Sequence, residues 1–190
     1  MIDIISQPAE IRRRLYDQIG LGLGLHPRSV EKDLWVTSVL QALFSLPYAN
    51  AFVFKGGSSL SKVWSLISRF SEDVDIAVDR SLFGIEGDVT KKQLKKLRKD
   101  SSLFVKERLA KDVKNKLGEL GLADYCKVEP QPDGEGNSTY PEPRKIFISY
   151  DTAFIDDIHS YMDASVMLEI GARSFIEPTA TAKVQSCLLY

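Results

Sequence analysis

Cysteine, histidine and long apolar runs are all scarce in this sequence. The two cysteines, Cys126 and Cys187, stand far apart and in no paired spacing, which argues against a secreted disulfide framework and a structural zinc site. The two histidines are as uninformative: His26 lies in a Gly/Pro stretch, His159 in an ambiguous segment, and neither has a serine or cysteine at a recognisable spacing. Hydrolase triads therefore have no support. No apolar stretch approaches the roughly 20 residues that span a bilayer. The first twenty residues contain Asp3 and Glu10 and lack a basic start followed by an apolar run. A cytoplasmic protein without a membrane partner is the expectation. An excess of one charge is also missing, since 25 basic residues face 26 acidic ones, so any signal for a charged partner must be local. What is present is ordinary globular material, 190 residues with 44% apolar and 27% charged, enough for one domain over 1–190 with a single core.

Along the chain, Pro8 suits a first helical turn, and Ile11, Leu15 and Ile19 repeat on one face of a short helix that the glycines of 20–27 should break. Ser29 is a possible cap for a second helix running to Pro47. Residues 51–54 read as a buried strand ending at Gly56-Gly57, followed by a helix over 59–68 and a second strand around Asp73 to Val78. Thr90 with Gln93 matches a capping box opening a long basic helix, 91–120, interrupted near 100–102. Residues 125–129 and 145–150 suggest a hairpin with a long Pro/Gly-rich loop and a disordered tip, 165–170 a strong strand, and 184–190 another strand. Trp35 and Trp64 sit among apolar helix residues and are expected in the core. The fold class expected is α/β or α+β, one mixed sheet flanked by helices.

Chemistry concentrates between Lys55 and Val78. Two glycines, Gly56 and Gly57, let the backbone approach a bulky anion, and the start of the next helix with the Ser58 hydroxyl forms an anion site. Asp73 and Asp75, two apart on a strand, put both carboxylates on one face with Cα atoms roughly 6.5–7 Å apart. Such a pair suits shared Mg²⁺ ions and two-metal phosphoryl chemistry. No Lys-Ser or Lys-Thr follows the glycines, so this is not a Walker A loop. Glu169 lies inside the otherwise apolar run Val166-Met167-Leu168-Glu169-Ile170. It either completes a metal site or forms a structural pair with Arg173.

These residues resemble the AbiEii/AbiGii toxin nucleotidyltransferases, a branch of the DNA-polymerase-β-like nucleotidyltransferase superfamily. The likeness is carried by Lys55-Gly56-Gly57-Ser58, Leu60, Lys62 and Arg69-Phe70-Ser71-Glu72-Asp73-Val74-Asp75. Glu31-Lys32-Asp33-Leu34-Trp35-Val36 upstream and Leu168-Glu169-Ile170-Gly171-Ala172-Arg173 downstream extend it. The resemblance implies a polymerase-β-like core over 51–190 behind N-terminal helices in 8–46. It implies transfer of a nucleotide from an NTP to a hydroxyl with Mg²⁺, or Mn²⁺ in its place. Asp73, Asp75 and Glu169 would hold the metals, and Gly56, Gly57 and Ser58 the phosphates. Lys62 and Arg69 either add positive charge there or neutralise nearby acids. The likeness further implies the toxin of a toxin–antitoxin or phage-defence pair, with a cognate antitoxin and an RNA acceptor, tRNA above all. Nucleotidylation of a protein or small molecule, or a non-catalytic nucleotide-binding module, are the alternatives. The sequence departs from the family at three places. Ser58 replaces a common threonine and keeps the hydroxyl. Met167 stands where some members carry a lysine, with Lys145 as a substitute. The family's helical second half has no counterpart, and with the apolar ending Leu188-Leu189-Tyr190 this leads to the expectation of a fragment.

Between Lys91 and Lys116 the chain carries 11 basic and 3 acidic residues. Such a run is either a polynucleotide contact or the solvated face of a helix whose buried stripe is Leu94, Leu97, Val105, Leu109, Val113 and Leu117.

Overall fold

In the computed structural model the described residues are 1–66, 73–134, 139–155, 163–173 and 178–189. Five strands form one mixed sheet: β1 (Phe52–Lys55), β2 (Asp73–Val78), β3 (Cys126–Pro130), β4 (Arg144–Tyr150) and β5 (Ser165–Gly171), in the order β1-β2-β5-β4-β3. β2 and β5 run parallel, and every other pairing is antiparallel. The helices are α1 (Ile2–Ile5), α2 (Ala9–Leu23), α3 (Pro27–Phe44), α4 (Gly56–Lys62), α5 (Lys91–Leu103) and α6 (Ala110–Glu119). The expected mixed sheet flanked by helices is the architecture found.

The strands alternate, apart from buried Ala77 on β2, because successive side chains leave a strand on opposite faces. Val74, Ile76, Val78, Ile146, Ile148, Val166, Leu168 and Ile170 are all buried. On that side α3 lies against β5, α6 against β3, and Trp35 of α3 stacks on Tyr150 of β4 with ring centroids 4.9 Å apart. Each such aliphatic side chain contributes about 1.5–3 kcal/mol of burial. The alternate residues, Asp73, Asp75, Met167, Glu169, Lys145, Phe147, Lys127 and Glu129, are half-buried or exposed. The sheet therefore has one closed face and one open face.

Several local expectations change. α2 continues through Gly20 and Gly22 and stops at Gly24, which takes the left-handed conformation (φ 66°) that glycine tolerates. Its buried residues are Arg12, Tyr16 and Gly20, whereas Ile11 is 47% exposed. The reason is packing: a Cβ at Gly20 would stand 2.6 Å from the Leu25 carbonyl oxygen, so this glycine permits close contact instead of breaking the helix. Helix α3 is capped by His26, whose Nδ1 accepts from the Arg28 N–H at 3.3 Å, with Pro27 at the first helical position; Ser29 is buried inside the helix. Trp64 is 47% exposed and not a core residue.

The Thr90–Gln93 capping box forms as expected. The basic helix is not interrupted at 100–102. It widens into a π-helical turn over Phe104–Leu109 between α5 and α6. Leu97, Ser101, Val105, Leu109, Val113 and Leu117 are all buried and spaced by four. That period outruns 3.6 residues per turn, and the wider π turn absorbs the drift. The hairpin of β3 and β4 is present, and the tip at 135–138 lies outside the described residues. Residues 184–189 form no strand. Cys187–Leu189 is a short 3-10 turn, fixed where the Cys187 N–H and the Ser186 hydroxyl donate to Asp33 Oδ2 at 2.7 and 2.9 Å.

Candidate active site

Strand register assembles the site. Lys55 pairs with Asp75, Asp75 with Glu169, and Glu169 with Lys145, so four charged residues from four strands form one row across the open face. At roughly 4.8 Å between strands the row is about 14 Å long. Asp73 stands two residues along β2, opposite Met167. The two central carboxylates are flanked by two lysines, the cross-strand order that opposite charges favour. Burial pushes the Asp75 carboxyl above its usual range, with Lys55 opposing the shift and the neighbouring Asp73 adding to it.

The turn between β1 and α4 meets this row directly. Gly56 has φ 73°, and any Cβ there would collide with the Asp75 carboxylate. Glycine is required twice over, by backbone conformation and by the approach of the acid. Ser58 is buried, and its hydroxyl donates to the Asp73 carbonyl. The hydroxyl proton expected to face a phosphate is thus engaged in fastening α4 to the carboxylate strand. Lys62 is likewise built in. Its ammonium pairs with Asp33 of α3, the same carboxylate that receives the 186–187 backbone and hydroxyl, so α3, α4 and that segment share one polar hub. Arg69 lies outside the described residues.

The alternative partner for Glu169 is removed. Arg173 pairs with Glu142, Nε to Oε2 at 3.5 Å. The Glu142 side chain is only 2% exposed, and its Oε1 accepts from the Ala172 N–H at 2.9 Å. Burial raises the Glu142 carboxyl, and the Ala172 N–H and Arg173 counter the shift. Glu169 instead lines a hollow of about 160 Å³ with Lys55, Glu142, Pro143, Gly171 and Arg173. Sequence reasoning missed Lys55 and Glu142 as site residues. For Lys55 a signal existed, since it ends the strand that enters the glycines. Glu142 sits in the Pro/Gly-rich loop, and nothing local ties that loop to β5.

Asp73, Asp75 and Glu169 share a face and offer hard oxygen ligands, the donor type that Mg²⁺ and Mn²⁺ prefer. Among the described residues no three acidic, thiol or imidazole side chains converge on one point, so the register brings these acids together while their carboxylates remain apart. The donor types suit a divalent cation, and among the described residues the three carboxylates do not form a closed site.

On the helical side, Arg98 of α5 donates from Nε to the Tyr140 carbonyl at 2.8 Å, and the Lys99 ammonium lies 5.7 Å from the Tyr140 ring centroid. The basic helix thus reaches the segment that carries Glu142. No helix among the described residues is long and apolar enough to cross a membrane. A search of curated proteins gives no match. The family model described as nucleotidyl transferase AbiEii toxin, type IV toxin–antitoxin system, matches residues 38–189. That match covers the glycine turn, the row of acids and the basic helix alike, and the chain belongs to this family of nucleotidyl transferase toxins.

Proposed function

We propose that the open face transfers a nucleotide from an NTP to a hydroxyl of RNA, with tRNA the expected acceptor, and that a cognate antitoxin restrains this activity. The observation that carries the reading is the meeting of Gly56 with Asp75, in register with Glu169. A phosphate-approachable turn and neighbouring acids on one face are what phosphoryl transfer needs. Asp73, Asp75 and Glu169 would hold Mg²⁺ or Mn²⁺. The bound cation would offset charge developing on the attacking and leaving oxygens. The N–H groups of Gly57 and Ser58, at the start of α4, face the leaving phosphates. Ser58 acts through its bond to Asp73, which keeps the turn against the acids. Lys145, opposite Glu169, takes the place of the lysine that Met167 lacks. Lys55 and Lys145 bracket the acids and neutralise a polyphosphate that the acids alone would repel.

Incubating the protein with each labelled NTP, Mg²⁺ and total RNA, beside Asp75→Ala, tests the assignment. Label on RNA that vanishes in the variant is expected. Label on protein would redirect the acceptor. Equal transfer by Asp75→Ala would refute the carboxylate assignment.

A further inference from the structure

The hollow beside Glu169 extends from the acid row in the direction away from Asp73, its lining running from Lys55 and Glu169 in the row to Gly171 and Arg173 at the end of β5. Ser58 fastens α4 at Asp73, whereas Gly171 pairs with Ala77, four residues further along β2 or roughly 13 Å. In an in-line displacement the entering and leaving oxygens occupy opposite sides of the phosphorus. With the leaving phosphates at the glycine turn, the acceptor enters from the side where this hollow opens.

The lining has the chemistry for such an acceptor. Glu142 Oε2 is buried, makes no hydrogen bond among the described residues and lies 3.5 Å from its ion-pair partner Arg173 Nε, so it keeps capacity to accept from an O–H. The Arg173 side chain is 60% exposed and meets Glu142 through Nε at 3.5 Å, which places a planar guanidinium at the rim. Arg98 and Lys99 meet Tyr140, two residues before Glu142, and extend the positive rim toward α5.

We infer that this hollow is the acceptor subsite and takes the hydroxyl-bearing end of a polyribonucleotide. Arg173 contacts the phosphodiester beside the terminal ribose, Glu142 Oε2 accepts from a ribose hydroxyl, and Glu142 Oε1 holds the end of β5 through Ala172. The acceptor oxygen bonds to the α-phosphorus as the bond from that phosphorus to the β-bridging oxygen breaks. The bond pair leaves with pyrophosphate, and the hydroxyl proton passes to water over the open face. This inference rests on the nucleotidyl-transfer reading above.

The test uses the full chain, a short oligoribonucleotide with a free 3′ end, its deoxy counterpart, and labelled NTP with Mg²⁺. Arg173→Ala is expected to raise KM for the oligoribonucleotide roughly tenfold, the loss of one charge-assisted bond. KM for the NTP should be unchanged, with partial rescue in Arg173→Lys. Glu142→Gln is expected to narrow the preference for ribo over deoxy ends while leaving Tm close to wild type. Fluorescence anisotropy of the labelled oligonucleotide without NTP should show the same weakening by Arg173→Ala, and it reads the subsite even if no transfer occurs. Unchanged oligonucleotide binding and KM in Arg173→Ala, a rise in the NTP KM instead, or label appearing only on protein would overturn the inference. Loss of transfer in Asp75→Ala together with an unaffected Arg173→Ala removes only the subsite. Equal transfer by Asp75→Ala removes the underlying reading.

Discussion

The two faces of one sheet are made of alternate residues of the same strands, and they differ in how far their charges are satisfied. On β4, Arg144 and Lys145 are sequence neighbours. Arg144 points into the closed side, fully buried, and donates to Gln131 O, Ser102 Oγ and Asp133. Lys145 points to the open side, opposite Glu169. On the closed face the strands place the Arg144 guanidinium among protein acceptors and otherwise pack apolar side chains. The open face gathers acids whose like charges disfavour one another. A sheet can keep these demands apart because its side-chain period is two. Apolar packing falls to one set of residues and the candidate site to the other.

That division is open to direct attack. The largest effect is expected from Asp75→Ala, which should lower transfer by at least about a thousandfold, since several kcal/mol of transition-state stabilisation depend on the acid set. Its Tm should not fall, and a variant that both unfolds and loses activity would mean the open face is structural after all. Next is Ile76→Ala, one residue along and fully buried. It should cost about 2–5 kcal/mol in urea unfolding while the folded fraction keeps wild-type kcat. Third is Asp33→Asn at the hub with Lys62, Ser186 and Cys187. A loss of about 1–3 kcal/mol with an unchanged KM for NTP is expected. A raised KM for NTP would show that Lys62 serves the nucleotide and not the scaffold.

The smallest effect concerns pH. Glu31 of α3 sits buried beside Arg12 at 3.7 Å and accepts from the Thr152 hydroxyl at 2.6 Å and the Ala153 N–H at 2.7 Å. Burial outweighs these partners and holds its carboxyl above the usual value. The native chain then binds that proton more tightly than the unfolded chain. The resulting stability is complete below the unfolded carboxylate pKa of about 4.3 and is lost as pH climbs through the raised native value. Glu31→Gln cannot titrate, so relative to wild type it should gain stability over that window. Denaturant midpoints measured from pH 4 upward check this, and a constant difference between the two proteins would contradict it.

Much of the candidate site was legible locally. The glycine turn, the Asp-x-Asp strand and the solitary acid in an apolar strand are each defined within a few residues, and the chemistry proposed for them follows from residue type and period. The capping box at Thr90 was readable for the same reason. The misreadings share one cause, which is that they depended on what packs alongside. Gly20 reads as a breaker until the Leu25 carbonyl is found against it. Residues 184–189 read as a strand until Asp33 captures their polar groups. The hydroxyl of the turn reads as facing a phosphate until it is found bonded to the Asp73 carbonyl, and of the two readings open for Lys62 the structure shows the pair with an acid, Asp33.

By itself the sequence determined the five strands that form, the faces on which their acids lie and the family likeness, because side-chain alternation and the conformational needs of glycine are properties of short segments. Only the tertiary structure decided that Glu169 stands beside Asp75 and Lys145, that Arg173 belongs to Glu142, and that a hollow opens beyond the acids. Those facts depend on contacts between segments far apart in the chain, nearly a hundred residues for Asp75 and Glu169. Register is set by the packing of the whole closed face and not by any local pattern.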